Sequence, residues 1–326
     1  MRVAVVGLGS MGKRRIRILK RLYPQINIVG IDSRDDRRKQ VADEYGIETA
    51  IDMNVVKNKD IECIFVCTSP QSHSAIFEQI DLDVVHTFSE LDLQICGYDR
   101  LIEAEKKGIR RHFLSSTPLY NADVNKIIQL ALGRLAIAYR YHIGQYLPDW
   151  HPWEDYRDFF AAHKETNACK EIMAIEFPWI ERCFGRISKA DVVSRRISTL
   201  DIEFNDVLAL TVQHESGVIG QLFIDVILPK PTRELEIVGE HFYLRWNGQA
   251  NGVQIWNKDR GAFDTLIVQN EVIHQPGYAE FIAENPYEEE LKEFFAGILD
   301  PTIKYRFSYS ESYRLLQLID KIESKR

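Results

Sequence analysis

The chain has 326 residues, enough for two domains of ordinary size, and its 45% apolar and 27% charged content excludes global disorder, collagen and coiled coil. With 41 basic against 48 acidic residues the net charge is −7, which argues against a nucleic-acid partner, because neutralising phosphates needs a basic footprint. No apolar run approaches the ~20 residues of a bilayer span, so no membrane partner is expected. Residues 1–6 are too short an apolar run for a signal-peptide core. Five cysteines lack paired CxxC spacing, so reduced thiols in a cytoplasmic protein and no metal site are expected.

The first third alternates apolar runs with helical patterns. Residues 3–6 form a short apolar run, followed by a glycine loop and a helix over 11–22. Residues 26–31 form a second run ending at Asp32, with a charged helix over 34–45. Further strands are expected at 61–67, 84–88 and 109–114. Helical sequence follows Pro70 and fills 93–107, where Lys106 and Lys107 precede a stop at Gly108. Continuous apolar strands joined by helices describe a doubly wound parallel sheet covered on both faces, a Rossmann-type α/β domain over residues 1–119.

From residue 120 the rhythm changes. A helix is expected over 120–132, a strand over 135–142, an aromatic loop over 146–157 and a helix over 167–184. Two hairpins follow, 207–214 with 218–226 across Glu215-Ser216-Gly217, and 233–238 with 241–246 across Gly239-Glu240. Helices at 286–298 and 308–321 close the chain. Residues 120–326 therefore read as an α+β domain with an open, mainly antiparallel sheet.

Gly7-Leu8-Gly9-Ser10-Met11-Gly12 matches GxGxxG. It follows a strand, opens a helix, and is followed by the acidic Asp32 at the end of the next strand. Gly7 permits the turn, Gly9 lets backbone approach a pyrophosphate, Gly12 lets helix pack on strand, and the helix N-terminus offers free N–H groups. The alternative is a glycine-rich turn with no ligand. Asp32, with Ser33 beside it, would hold the adenosine ribose hydroxyls and repel a 2′-phosphate, which favours NAD. Arg34, with Arg37 and Arg38 nearby, keeps NADP open, although Arg37 and Arg38 read more simply as a solvated helix face.

With this fingerprint placed, further segments resemble the glucose–fructose oxidoreductase, inositol dehydrogenase and rhizopine-catabolism (Gfo/Idh/MocA) family. Cys67-Thr68-Ser69-Pro70-Gln-Ser-His73 resembles its A-T-P-x-x-x-H stretch, and Phe88-Ser-Glu90-Leu-Asp-Leu93 stands at its E-K-P-L. The resemblance implies that Thr68, Ser69, Pro70, His73 and Glu90 lie around the cofactor, Thr68 to His73 on its nicotinamide side. It also implies an oxidoreductase acting on CH–OH groups, and a homodimer or homotetramer formed through the C-terminal sheet. Two departures stand out. Leu91 and Asp92 replace the lysine and proline after the glutamate, and leucine has no proton to give. The helix that carries an Asp-x-x-x-His pair in the family reads Cys169-Lys-Glu171-Ile-Met-Ala-Ile-Glu176-Phe-Pro-Trp179, without histidine.

Spacing suggests what replaces them. Glu176 shares one helical face with Ile172, Met173, Ile180 and Cys183. A carboxylate on an apolar stripe is either paired, with an arginine such as Arg157, or raised in pKa and suited to general acid–base work. Glu171 is the second choice, and Pro178 should kink the helix by removing a hydrogen bond to Ala174. In the aromatic loop Trp150, Trp153, Tyr146 and Tyr156 alternate with Asp149, His151, Asp155 and Arg157. Flat faces among bidentate groups suit a sugar ring, so Trp150, Trp153, Tyr156 and Arg157 are substrate-binding candidates and His151 a fallback proton donor, as is His142. The loop could equally pack between domains. The leading expectation is an NAD(P)-dependent oxidoreductase on a sugar or nucleotide-sugar, in surface-polysaccharide synthesis. The alternatives are a cofactor-retaining epimerase or eliminase, and a non-catalytic NAD- or sugar-binding protein.

Overall fold

The computed structural model describes residues 1–58, 60–134, 136–275 and 282–325. By contact the chain divides into two units, Met1–Thr117 with Tyr287–Arg314, and Pro118–Pro286 with Leu315–Arg326.

The first unit is built on β1 (Arg2–Val6), α1 (Ser10–Leu22), β2 (Asn27–Ile31), α2 (Asp35–Tyr45), β3 (Glu48–Ala50), α3 (Asn54–Asn58), β4 (Cys63–Val66), α4 (His73–Phe77), β5 (His86–Ser89), α5 (Tyr98–Lys107) and β6 (His112–Leu114). Its strands form a six-stranded sheet in the order β3-β2-β1-β4-β5-β6, and every pairing is parallel. Residues 3–6 of β1 and all of β4 are buried, as their unbroken apolar sequence requires in a sheet covered on both faces. The strand order reverses between β1 and β4, and the carboxyl ends there are where doubly wound sheets place ligands.

The parallel sheet and its Rossmann order match the expectation, with two refinements. Helix α5 begins at Tyr98 rather than at 93, because Gly97 takes a left-handed conformation (φ +81°) and Asp92 caps the preceding turn. Residues 287–314, expected in the second domain, group with the first. The reason is aromatic: Phe294 packs edge-on against Phe65, Phe88 and Phe113 of β4, β5 and β6, at 5.5, 5.6 and 6.0 Å between centroids.

The second unit contains α6 (Ala122–Ala131), β7 (Ile137–Gly144), α7 (Ala168–Phe184), β8 (Ile187–Arg195), β9 (Val207–His214), β10 (Ile219–Asp225), β11 (Thr232–Gly239), β12 (Phe242–Trp246), β13 (Val253–Asn257) and β14 (Ala262–Thr265). Helices α8 (Asn285–Leu299) and α9 (Tyr309–Glu323) each straddle a boundary between the units. Residue 135, where the sequence places the start of β7, lies outside the described residues. The sheet runs β14-β13-β12-β11-β7-β10-β9-β8 and is antiparallel except where β10 pairs with β7. Both expected hairpins form. Alternation sets two faces: Tyr139, Tyr141 and Ile143 of β7 are buried, while Ala138, Arg140 and His142 turn outward. Helix α7 runs through Pro178 to Phe184, with its buried residues dominating.

Candidate functional site

The turn after β1 uses its glycines for distinct purposes. Gly7 has φ +90° and donates its N–H to the Ile31 carbonyl at 2.8 Å. A Cβ there would lie 2.8 Å from the Cys67 backbone, and one at Gly12 would lie 1.9 Å from the Gly7 carbonyl oxygen. At Gly9 the nearest atoms would be those of the Arg37 guanidinium, at 3.6 Å, so no backbone crowds the face over Gly9. Gly9 is the N-cap of α1 and that end carries no side-chain cap bond, and a helix N-terminus is a setting that favours an anion. This cradle fits a dinucleotide pyrophosphate.

Asp32 directly follows β2 and anchors the same loop. Its Oδ2 accepts the Leu8 N–H at 2.8 Å and its Oδ1 accepts the Arg34 N–H at 2.9 Å, while Ser33 is exposed beside it. The arginines divide differently from the expectation. Arg34 lies against Asp36 through both carboxylate oxygens (3.1 and 2.5 Å), and Arg38 turns back onto the Asp32 and Ser33 carbonyls. Arg37, read from sequence as solvated helix face, instead stands 3.7 Å from Asp32 Oδ2 and over Gly9.

The loops after β4 and β5 complete the carboxyl end of this sheet. Thr68 and Ser69 lead into the turn Pro70–Ser72, and His73 opens α4 fully buried. Glu90 is not presented outward: Arg15 of α1 donates to its two oxygens at 2.6 and 3.1 Å. The same guanidinium donates to Glu290 at 2.7 Å, and Glu290 also accepts from Ser115 Oγ (2.8 Å) and Ser116 N–H (3.0 Å). Burial pushes the Glu290 carboxyl upward, opposed by Arg15. Glu90 is thereby held in place by Arg15 at the start of the loop after β5. Arg15 and Glu290 were missed in sequence, although Arg15 lies on the buried stripe of α1 with Gly12, Ile16 and Leu19, where a lone charge signals a buried partner.

In the second unit, Glu176 proves to be paired. Its carboxylate accepts from Trp179 Nε1 (2.6 Å), Tyr141 Oη (3.0 Å) and Arg233 Nε (3.0 Å), and the side chain is buried. The expectation of an unpaired, acid–base carboxylate at Glu176 gives way to the ion-pair alternative, with Arg233 rather than Arg157 as partner. Arg157 itself is bound to Asp155 on the surface. Glu171 differs: its Oε2 is buried with no hydrogen-bond partner among the described residues, and burial raises its carboxyl to about 8. Residues 172 and 176 face the sheet, whereas 171 and 175 lie on the less buried stripe of α7. The i,i+4 pair on that stripe is therefore Glu171 and Ile175.

The aromatic loop is ordered by its own contacts. Trp153 is exposed and stacks on His151 at 5.0 Å, His151 packs against Phe159 at 4.0 Å, and His151 Nδ1 meets Glu154 at 2.6 Å. Trp150 donates to the Gln145 carbonyl at 3.3 Å, and Tyr156 Oη accepts the Asp201 N–H at 2.9 Å. His142 lies on the outward face of the sheet, 2.8 Å from the buried Asp225. Among the described residues no group of three His, Cys, Asp or Glu is arranged to hold a metal, and no helix is long and apolar enough to cross a membrane.

Comparison with known proteins agrees with this geometry. Residues 1–107 match the Gfo/Idh/MocA family, described as an oxidoreductase family with an NAD-binding Rossmann fold. A myo-inositol 2-dehydrogenase from Thermotoga maritima is 30% identical over 111 residues, a stretch that spans only 33% of this chain and 33% of that protein. The fold is shared along the whole chain. An oxidoreductase from Agrobacterium radiobacter, solved with NAD+, L-tartaric acid and magnesium, superposes with a TM-score of 0.81 at 11% identity, covering 100% of this chain and 96% of that one. UDP-N-acetylglucosamine 3-dehydrogenase from Acidithiobacillus ferrooxidans gives 0.77 at 13% identity, covering 100% and 97%. At such identities the likeness concerns fold alone.

Proposed function

We propose that this chain, whose residues 1–107 match the Gfo/Idh/MocA oxidoreductase family, is an NAD-dependent oxidoreductase of a sugar or nucleotide-sugar hydroxyl. The observation that carries the reading is the open backbone face over Gly9 at an uncapped helix N-terminus, with the Asp32 carboxylate at the end of the neighbouring strand. Bound NAD would supply hydride acceptance at its nicotinamide ring. Gly9, Ser10 and Met11 hold the pyrophosphate by backbone donors, Asp32 with Ser33 holds the ribose hydroxyls, and Thr68, Ser69 and Pro70 border the nicotinamide end. The exposed face of Trp153, with Trp150, Tyr156 and Arg157, gives stacking and hydrogen-bonding surface suited to a sugar.

Proton transfer is assigned to Glu171. Glu176 is occupied by three donors, whereas Glu171 keeps one buried oxygen without a described partner and titrates at about 8, where a carboxyl can both give and take a proton near neutrality. His151 is the second candidate, held by Glu154. A reaction in surface-polysaccharide synthesis suits a nucleotide-sugar substrate such as the one named for the UDP-N-acetylglucosamine dehydrogenase. A second reading, a cofactor-retaining epimerase or eliminase, is favoured by Leu91 standing where the resemblance expects a proton-donating lysine. The working assembly is a dimer or tetramer of this chain in the cytoplasm, formed on the outward face of the second sheet. Incubation with NAD and a panel of nucleotide-sugars, following absorbance of reduced nicotinamide, tests the proposal. Net reduction supports it, retained NAD without net change supports the second reading, and failure to bind NAD overturns both.

A further inference from the structure

Two loops at the carboxyl ends of β4 and β5 meet through buried contacts, Cys67 Sγ to Glu90 Oε1 at 3.9 Å and His73 to Asp92. His73 is fully buried, with Nε2 3.1 Å from the Thr68 carbonyl oxygen and Nδ1 3.5 Å from Asp92 Oδ2. Asp92 is itself buried and fixed, its Oδ1 accepting the Leu93 and Gln94 N–H groups at 2.7 and 3.1 Å. A carbonyl oxygen can only accept, so Nε2 must carry a proton. A carboxylate also only accepts, so a neutral ring would aim the Nδ1 lone pair at an anion inside the protein. Protonation of Nδ1 removes that conflict and closes an ion pair at 3.5 Å.

The surroundings do not supply another charge to do this work. Glu90 is engaged by Arg15, and burial pushes the Cys67 thiol and the phenols of Tyr98 and Tyr309 upward, which keeps all three neutral. Burial also disfavours charge on His73, but Asp92, the Thr68 carbonyl and Glu90 outweigh it and lift its titration above that of an ordinary histidine. The loop after β5 is thus pinned at Glu90 by Arg15 and at Asp92 by His73, with half-buried Leu91 displayed between two buried anchors.

We propose that His73 and Asp92 are positioning residues, an imidazolium–carboxylate latch that joins the β4 and β5 loops and makes dinucleotide affinity fall at alkaline pH. The proposal rests on the reading that NAD occupies the carboxyl end of this sheet. Its sign follows from the geometry: the latch is complete at low pH and opens as pH rises through the lifted His73 titration, when Nδ1 loses its proton and releases Asp92 while Nε2–H stays on the Thr68 carbonyl.

The test uses the full chain with histidine labelled for NMR, titrated from about pH 6 to about pH 9, with calorimetric NAD titrations over the same range. His73 is expected to titrate above ordinary histidine, and NAD affinity to fall about fivefold or more across its titration. Asp92→Asn should lower the His73 titration and flatten the affinity profile, and His73→Gln should give the same flat profile. A wild-type His73 that titrates at or below the ordinary value overturns the latch even if no variant folds. So do variants whose affinity profile matches the wild type. If the wild type binds no NAD at any pH while His73 still titrates high, the cofactor reading has failed and this role falls with it.

Discussion

A methyl group added at Gly12 would lie 1.9 Å from the Gly7 carbonyl oxygen, while one added at Gly9 would meet the movable guanidinium of Arg37 at 3.6 Å. Gly12→Ala should therefore cost about 1–3 kcal/mol of stability, measured by denaturant unfolding. Gly9→Val should leave stability nearly intact and abolish NAD binding by calorimetry, because its bulk occupies the face the pyrophosphate must reach. Asp32→Ala removes an acceptor for ribose hydroxyls, and NAD affinity should fall about tenfold or more with NADP gaining in relative terms. It also frees the Leu8 N–H, so a thermal melt must accompany the binding measurement. Glu171 carries a pH signature. Its carboxyl stays protonated in the fold up to about 8 but ionises in the unfolded chain at the ordinary carboxylate range, so stability declines as pH rises from that range toward about 8 and levels off beyond. Glu171→Gln should remove this decline in unfolding curves measured across that interval. It should also lower turnover by about 10²–10⁴ if Glu171 handles the proton.

At the scale of elements, α7 shows how far sequence reasoning reaches. Spacing correctly put Glu176 on the stripe with Ile172, Ile180 and Cys183, and such a stripe leaves two outcomes for a carboxylate, pairing or protonation. The deciding partners, Tyr141 and Arg233, sit on β7 and β11, and no local pattern says which strands a helix will cover. Glu176→Gln turns one acceptor oxygen into a donor facing other donors. It should destabilise the second unit by about 1–3 kcal/mol in thermal or denaturant unfolding, while NAD affinity, housed on the β1 turn, stays unchanged. The glycine turn was legible for the opposite reason: all its determinants lie within one βα unit, and Asp32 directly follows the next strand. Arg37 was misread because helix periodicity alone cannot distinguish a solvated arginine from one folded over the adjacent loop. The short β3, the edge strands β8 and β14, and β13 beside β14 carried too little pattern to be found, being brief or exposed on alternate residues.

The whole molecule is organised by a chain that returns. Residues 287–314 cover the first unit's sheet through Phe294, a long-range pairing that the amphipathic sequence of α8 announces without naming its target. The second unit's sheet has helix α7 against its inner face, touching β9 and β10, and its outer face shows what remains open. Strand register puts Val193, Phe223, Ile219, Val238 and Trp256 on that one face. Val193 is 77% exposed, Ile219 48% and Trp256 41%. They stand on β8, β10, β11 and β13, no two of which are neighbours in the sheet, with Ala209 and Ala138 between them on the same face, and soluble monomers rarely leave a large apolar surface bare. Among them lie Arg140 against Glu236 and Arg245 beside the ring of Phe263, so the face offers both signs of charge. A two-fold pairing of this face with a second copy can match those charges reciprocally while burying the patch. Sedimentation or light scattering at micromolar concentration should give a dimer or tetramer. The double substitution Phe223→Arg and Val238→Asp should shift it to monomer without altering NAD affinity, since neither residue touches the dinucleotide cradle. A wild type that remains monomeric would leave the patch without the partner proposed for it.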